Sequence, residues 1–315
     1  MIEVKNLTKR YGNICAVSDL SFTIEKGQIY GFLGPNGAGK STTMNIMTGC
    51  LAATTGEVKI GGHDIFEEPE KAKRLIGYLP EQPPLYMDRT PREYLTFVAQ
   101  AKRIDKKDIP KQINRVLAIT QTEDVADRLI KNLSKGYRQR VGIAQALLGD
   151  PEVIILDEPT VGLDPRQIIE IRELIQELGR DHTVILSSHI LSEVQAVCQT
   201  ILIINKGKLI ACDTPENLEK RFAGKIAMEL TVETDNIRAK KILSKVSRIT
   251  GTTVLSEEDG VSHLALEVAG IADQAFCREV FFAFANENVA ILEMKSAKAT
   301  LEDIFIQLTG KGVKG

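Results

Sequence analysis

Residues Gly34-Pro35-Asn36-Gly37-Ala38-Gly39-Lys40-Ser41-Thr42 fit the pattern G-x-x-x-x-G-K-[ST], residue types and spacing suited to holding a polyphosphate. The glycines let the backbone take conformations closed to other residues and let phosphate oxygens come close to the amides. A helix opening at the end of the loop adds unpaired N–H donors and the positive end of its dipole. Lys40 can bridge terminal phosphates as a point charge, and the Ser41 hydroxyl is a hard oxygen of the kind magnesium binds. Two elements must frame such a loop. The apolar run Ile29, Tyr30, Phe32 and Leu33 predicts a buried strand before it. Met44 and Met47, three apart, and Thr43 and Met47, four apart, predict a helix over 42–48 that Gly49 stops. A glycine-rich turn without a ligand is the bland alternative.

Further polar residues stand at the ends of apolar runs. Val153 to Leu156 has the pattern of a central parallel strand and ends in Asp157-Glu158. Neighbours leaving a strand point to opposite sides, so the two carboxylates can divide the work. Asp157 can hold magnesium through water, while Glu158 can polarise a water in line with a terminal phosphoryl group. An exposed capping pair is the competing reading. Thr183 to His189 repeats the plan, and His189 can donate a hydrogen bond to a γ-phosphate oxygen. After the run Leu75 to Leu79, prolines 80, 83 and 84 block helix and hold Gln82 in a loop past a strand end. Ser134 precedes Val141, Ala144, Gln145 and Leu148 at helical spacing, where its hydroxyl reads as an N-cap. Tyr11, beside a turn, can stack on an adenine or simply pack.

The remaining pattern is α/β. Residues 2–7 and 20–24 alternate as antiparallel strands, 56–62 gives another, and 91–131 is mostly helical, opening at Thr90-Pro91. Runs 200–204 and 208–212 flank Asn205-Lys206-Gly207 as a hairpin that ends the first domain. From about residue 225 the order β-α-β-β-α-β predicts a small α+β ferredoxin-like domain with no metal, nucleophile or phosphate constellation. With 315 residues and 43% hydrophobic content the chain can bury two cores. Forty Lys plus Arg against 42 Asp plus Glu leave no net charge for a polyanion, so no nucleic-acid partner is expected. The cluster Lys102, Arg103, Lys106, Lys107 and Lys111 is broken by Asp105 and Asp108 and reads as a solvated helical face. Five widely spaced cysteines without a C-x-x-C pair suggest free thiols in a reducing cytosol. With no run long enough to span a bilayer and no basic-then-apolar leader, a soluble, cytoplasmic chain is expected.

Tyr11, the loop 34–42, the Gln82 loop, the segment 133–137, Asp157-Glu158, Gly162-Leu163-Asp164 and His189, in that order, resemble the ATP-binding subunit of an ATP-binding-cassette (ABC) transporter. The resemblance covers about the first 220 residues. It implies a P-loop NTPase cassette over 1–221, with a RecA-like core, an antiparallel β subdomain and a helical subdomain at about 90–150, followed by an accessory domain at 225–315. It also implies ATP and Mg2+ as cofactors. Tyr11 and Asp164 are then assigned to the nucleotide, and Gln82 to catalysis and to the metal together with Ser41 and Asp157. Two cassettes, as a homodimer or a paired ATPase subunit, are expected to pack head to tail, with Ser134 and the Gly136 backbone reaching γ-phosphate in trans. The family's commonest signature reads L-S-G-G-Q; here Lys135 and Tyr137 replace its first glycine and its glutamine.

The ending Leu301-Glu302-Asp303-Ile304-Phe305 is similar to ATPase subunits of ABC-2-type exporters. A separate integral-membrane permease is thereby expected, with the chain peripheral on the inner face of the membrane and the Gln82 loop as its coupling surface. Two rivals come from other classes. Soluble ABC ATPases of ribosomes or DNA generally carry two cassettes or a long coiled-coil insertion, and neither occurs here. A nucleotide-gated binding module without turnover is opposed by the presence of Lys40, Asp157, Glu158 and His189.

Overall fold

The computed structural model describes residues 1–222, 228–269, 272–296 and 305. The chain divides into two compact units, Met1–Thr214 and Pro215–Gly315.

The first unit opens with strands β1 (Ile2–Tyr11) and β2 (Ile14–Ile24), then β3 (Ile29–Leu33), helix α1 (Lys40–Met47), β4 (Thr55–Ile60), β5 (His63–Asp64), α2 (Pro69–Arg74) and β6 (Ile76–Leu79). Helices α3 (Pro91–Ala101), α4 (Ile109–Ile119) and α5 (Lys135–Leu147) follow, before β7 (Val153–Leu156), α6 (Pro165–Leu178), β8 (Thr183–Ser188), α7 (Leu191–Val197), β9 (Thr200–Asn205) and β10 (Lys208–Asp213). The helical stretch begins where Thr90 and Pro91 place it. Thr90 accepts from the Glu93 amide and the Glu93 carboxylate returns to the Thr90 amide, a capping box with proline at the first turn.

Two sheets result. An antiparallel one runs β2-β1-β4-β5, and a six-stranded one runs β10-β9-β3-β8-β7-β6. All residues of β3, β7 and β8 are buried, as parallel strands covered on both faces must be. Each fully buried Val, Leu, Ile or Phe side chain contributes about 1.5–3 kcal/mol, so the strands that end at the site are among the most firmly held. One core joins the two sheets: Ile2, Val4, Leu20 and Ile24 share it with Phe32, Met44, Ile155 and Leu202. Phe22 meets Phe32 edge-on across it, 5.3 Å between ring centres.

The register of the parallel strands assembles the site. Leu33 pairs with Ser188, Leu156 with Leu186, and Leu79 with Leu156. The loops that leave these carboxyl ends, at residues 34, 80, 157 and 189, therefore emerge side by side. That crevice, where β3 lies between β8 and β9, is where open α/β sheets bind ligands.

The second unit contains α8 (Pro215–Phe222), β11 (Met228–Val232), α9 (Asn236–Leu243), β12 (Ile249–Glu258), β13 (Val261–Val268), α10 (Gln274–Ala285) and β14 (Ile291–Ser296). Its sheet, ordered β12-β13-β11-β14, is antiparallel throughout. Ala239, Ile242 and Leu243 of α9 and Phe276, Val280 and Phe284 of α10 pack with Leu230, Val232 and Leu264 into a separate core. The ending Leu301-Glu302-Asp303-Ile304-Phe305 lies, Phe305 apart, outside the described residues. Among the described residues no helix is long and apolar enough to cross a membrane. All five cysteines are free thiols.

Candidate active site

The loop between β3 and α1 needs its glycines for separate reasons. A Cβ on Gly34 would run into the Ile204 carbonyl oxygen, and one on Gly39 would come within 2.7 Å of the Ala16 carbonyl oxygen. Gly37 has open space around it but a φ of +79°, a conformation that other residues rarely take. Gly39 is also the N-cap of α1, at φ 106°, and no side chain caps this helix. The first-turn amides and the dipole's positive end are thus left for an anion.

Around this loop the polar side chains form one connected network. Lys40, 5% exposed, donates to the Gly34 carbonyl at 2.8 Å and lies 3.4 Å from Glu158 Oε1. Across the same carboxylate, His189 Nδ1 sits 2.9 Å from Glu158 Oε2; facing a group that can only accept, that ring nitrogen donates. Behind them, Asp157 Oδ1 accepts from Ser41 Oγ at 3.2 Å and from Ser187 Oγ at 2.6 Å. Ser187 Oγ in turn accepts from the Glu158 amide at 2.9 Å. Glu158 itself has a φ of +49°, in the left-handed region that a non-glycine residue occupies only where its surroundings impose it.

Next to Asp157, burial raises the Tyr78 hydroxyl above its ordinary pKa, and the Asp157 charge adds to the effect. That phenol stays protonated and donates to Asn45 Oδ1 at 3.0 Å, pinning β6 to α1.

A cleft of about 460 Å³ is lined by Asn36, Gly37, Ala38, Gly39, Lys40, Ser41 and Thr42 together with Glu81, Glu158 and His189. The strand-end carboxylates are therefore not an exposed capping pair: Asp157 is 3% exposed and Glu158 7%. Ser134, Gly136 and Asp164 lie together elsewhere, in a second cleft of about 340 Å³ that Tyr137, Arg140 and Gln167 also line. Two of the three cap helices there. Ser134 caps α5 by accepting from the Tyr137 amide, and Asp164 caps α6 by accepting from the Gln167 amide.

Tyr11 stands at the end of β1, 49% exposed, with the Lys9 ammonium 5.1 Å from its ring centre. Core packing does not explain this ring. Gln82 is exposed in the loop after β6 and lines neither cleft; its neighbour Glu81 faces the phosphate loop instead. The two positions that depart from the commonest signature are engaged within the chain. A Cβ on Gly162 would collide with the Lys135 ammonium, so this side chain lies over the loop that follows Glu158. The Tyr137 hydroxyl donates to Asp124 Oδ2 at 3.0 Å, which raises its pKa.

Glu81, Ser187 and Glu193 belong to this architecture and escape a reading of motifs. Ser187-Ser188 did leave a trace, as two hydroxyls in an otherwise apolar strand directly before His189. Ser41 Oγ and Asp157 Oδ1 are hard oxygen donors, and no cluster of three or more His, Cys, Asp or Glu suited to a metal occurs among the described residues. So sparse a donor set fits magnesium, which keeps several waters and takes phosphate oxygens as ligands.

A nucleotide-binding loop on a parallel sheet, faced by a buried carboxylate and a histidine, defines a P-loop nucleotide hydrolase. The sequence profile of the ABC transporter family matches residues 17–161. The chain is 31% identical over 315 residues to the linearmycin resistance ATP-binding protein LnrL of Bacillus subtilis (strain 168), covering 100% of both chains. To the bacitracin transport ATP-binding protein BcrA of Bacillus licheniformis it is 34% identical over 317 residues, covering 100% of this chain and 99% of that protein. Among solved structures, an ATP-binding subunit of an ABC transporter superposes with a TM-score of 0.64 at 30% identity, covering 70% of this chain and 93% of that one. A dimeric ATP-binding cassette, MJ0796, in a post-hydrolysis state with ADP and Pi gives 0.62 at 28% identity, covering 68% and 98%. This chain belongs to the ATP-binding subunits of ABC transporters. It binds ATP and is an ATPase.

Proposed function

We propose that the chain powers export through a separate integral-membrane permease, hydrolysing ATP at the cleft between the phosphate loop and Glu158. The observation that carries the catalytic part is the Glu158 carboxylate, 7% exposed, held between Lys40 at 3.4 Å and His189 at 2.9 Å at the mouth of the loop. The exporter part rests on full-length likeness to proteins named for bacitracin transport and linearmycin resistance. The chain sits peripherally on the inner face of the membrane in this reading.

With nucleotide bound, the uncapped amides of α1 and Lys40 hold the β- and γ-phosphates, and Lys40 exchanges Glu158 for phosphate oxygen. Released from that pair, Glu158 takes the proton of the attacking water. His189, anchored to Glu158 through Nδ1, meets the γ-phosphate with the rest of its ring. Ser41 and Asp157 would hold Mg2+, which would supply charge neutralisation to the phosphate oxygens when bound. Glu81, rather than Gln82, is the residue of the 80–84 loop that lines this cleft, and it brings a carboxylate to a position where Gln82 was expected to act. Ser134 and Gly136 act in trans, on the nucleotide of a second cassette, which agrees with their lying in a cleft of their own.

Tyr11 stacks on the adenine. Tyr11→Ala weakens ATP by about 5- to 150-fold, the ~1–3 kcal/mol of one base-aromatic stack, whereas Tyr11→Phe changes little. A nucleotide titration decides it, and equal effects of the two changes assign the role to the hydroxyl. For the whole reading, the purified chain is reconstituted in proteoliposomes with each integral-membrane protein found in its gene neighbourhood. ATP hydrolysis several-fold faster than that of the chain alone supports the proposal. A chain that binds none of these membrane proteins and changes its rate with none overturns the transport role.

A further inference from the structure

Glu193 is a buried carboxylate, 5% exposed, in the first turn of α7, and it lines neither cleft. Among the described residues no lysine, arginine or histidine pairs with it; its partners are two hydroxyls. Oε2 accepts from Thr160 Oγ1 at 2.6 Å and from Ser188 Oγ at 3.0 Å. Both partners are buried as well, at 6% and 1% exposure. An ionised group taken from water without a cation is costly, so two neutral donors are a poor explanation of its presence by stability alone.

The two hydroxyls have telling positions. Thr160 lies two residues beyond Glu158, within the tight turn closed by the Val161 amide on the Glu158 carbonyl at 3.2 Å. Ser188 directly precedes His189, and its Oγ also accepts from the Ile190 amide at 3.0 Å, which shapes the turn that presents the imidazole. One carboxylate oxygen thus joins the loop carrying Glu158 to the segment carrying His189. Ser187 holds the amide of Glu158 from one side, and Glu193 holds the turn beyond it from the other. A left-handed φ of +49° at Glu158 needs this kind of restraint from outside.

We propose that Glu193 is a positioning residue: through Thr160 and Ser188 it fixes Glu158 and His189 relative to each other, and so sets the turnover rate without touching nucleotide. The inference rests on the catalytic reading of Glu158 given above.

Glu193→Ala, Glu193→Gln, Thr160→Val and the double variant Thr160→Val with Glu193→Ala are compared in the full chain by kcat, ATP affinity and thermal unfolding. Glu193→Ala is expected to lower kcat about 10- to 100-fold, the scale of a misplacement near 1 Å, while ATP affinity stays within about threefold. Glu193→Gln recovers most of the rate, because an amide oxygen accepts the same two hydroxyls. Thr160→Val lowers kcat in the same direction and costs nothing further on top of Glu193→Ala, the non-additivity of a shared contact.

A kcat for Glu193→Ala within about twofold of wild type overturns the proposal, and so does a loss of affinity as large as the loss of rate. A glutamine variant as slow as the alanine variant overturns it too. If Glu193→Ala does not fold, Thr160→Val decides: an unchanged kcat there removes the link. Glu158→Gln run alongside separates the two readings. If it turns over normally, the catalytic role of Glu158 fails; if it is inactive while Glu193→Ala is normal, only the positioning role fails.

Discussion

Glu158→Gln is expected to leave ATP binding intact and to lower turnover by about 10²–10⁴-fold, the usual contribution of a positioned general base. The substitution keeps the side chain's shape and its contact with His189, but the amide cannot take a proton from water. The phosphates lose a competitor for Lys40, which sits 3.4 Å from the carboxylate, so affinity does not fall and the ATP-bound form accumulates. Single-turnover phosphate release with a parallel binding titration reads both effects. Hydrolysis at the wild-type rate in the purified variant would remove Glu158 from the catalytic role.

Lys40→Met is expected to act on the other axis and to weaken ATP by about 10²–10³-fold. Truncating one partner of a buried, hydrogen-bonded charge pair costs about 2–5 kcal/mol, and here the partner left unpaired is the bound phosphate. Lys40 is buried and aimed by the Gly34 carbonyl at 2.8 Å, so neither water nor a neighbouring cation can take its place cheaply. Methionine fills much of the same volume, which limits the effect on packing. A thermal melt checks that the variant folds. Affinity within about threefold of wild type in calorimetry would mean that the loop amides, and not the ammonium, hold the phosphates. The two variants therefore dissociate: one loses the reaction and keeps the ligand, while the other loses the ligand.

Much of this was legible in the chain because the requirements are local. A loop that must wrap a polyphosphate needs glycines within a few residues of a lysine and a serine, and residues 34–42 carry them consecutively. Buried parallel strands read as near-continuous apolar runs, so 29–33, 153–156 and the stretch Val184 to Leu186 within 183–188 can be found, and with them Asp157, Glu158 and His189. Helix starts were equally local: Thr90-Pro91 and Ser134 cap the helices that they precede.

What only the tertiary structure decided is which side chains meet across the sheet. Ser187 reaches Asp157 across 30 positions and Thr160 reaches Glu193 across 33, through the pairing of Leu156 with Leu186. No periodicity within either segment encodes that register. The choice between Glu81 and Gln82 is of the same kind. Prolines on both sides announce a loop, but its course past β6 and α5, where Gly142 leaves room for Leu79 and Pro83, turns Glu81 to the cleft and leaves Gln82 exposed. Lys135 is exposed, and its side chain lies over Gly162 because the start of α5 lies beside the loop after Glu158. The sequence by itself determined the phosphate loop and the acids at the strand ends, since each is a contiguous response to a local backbone demand. The network that orients those acids depends on the alignment of distant strands, and that alignment exists only once the core between the sheets has formed.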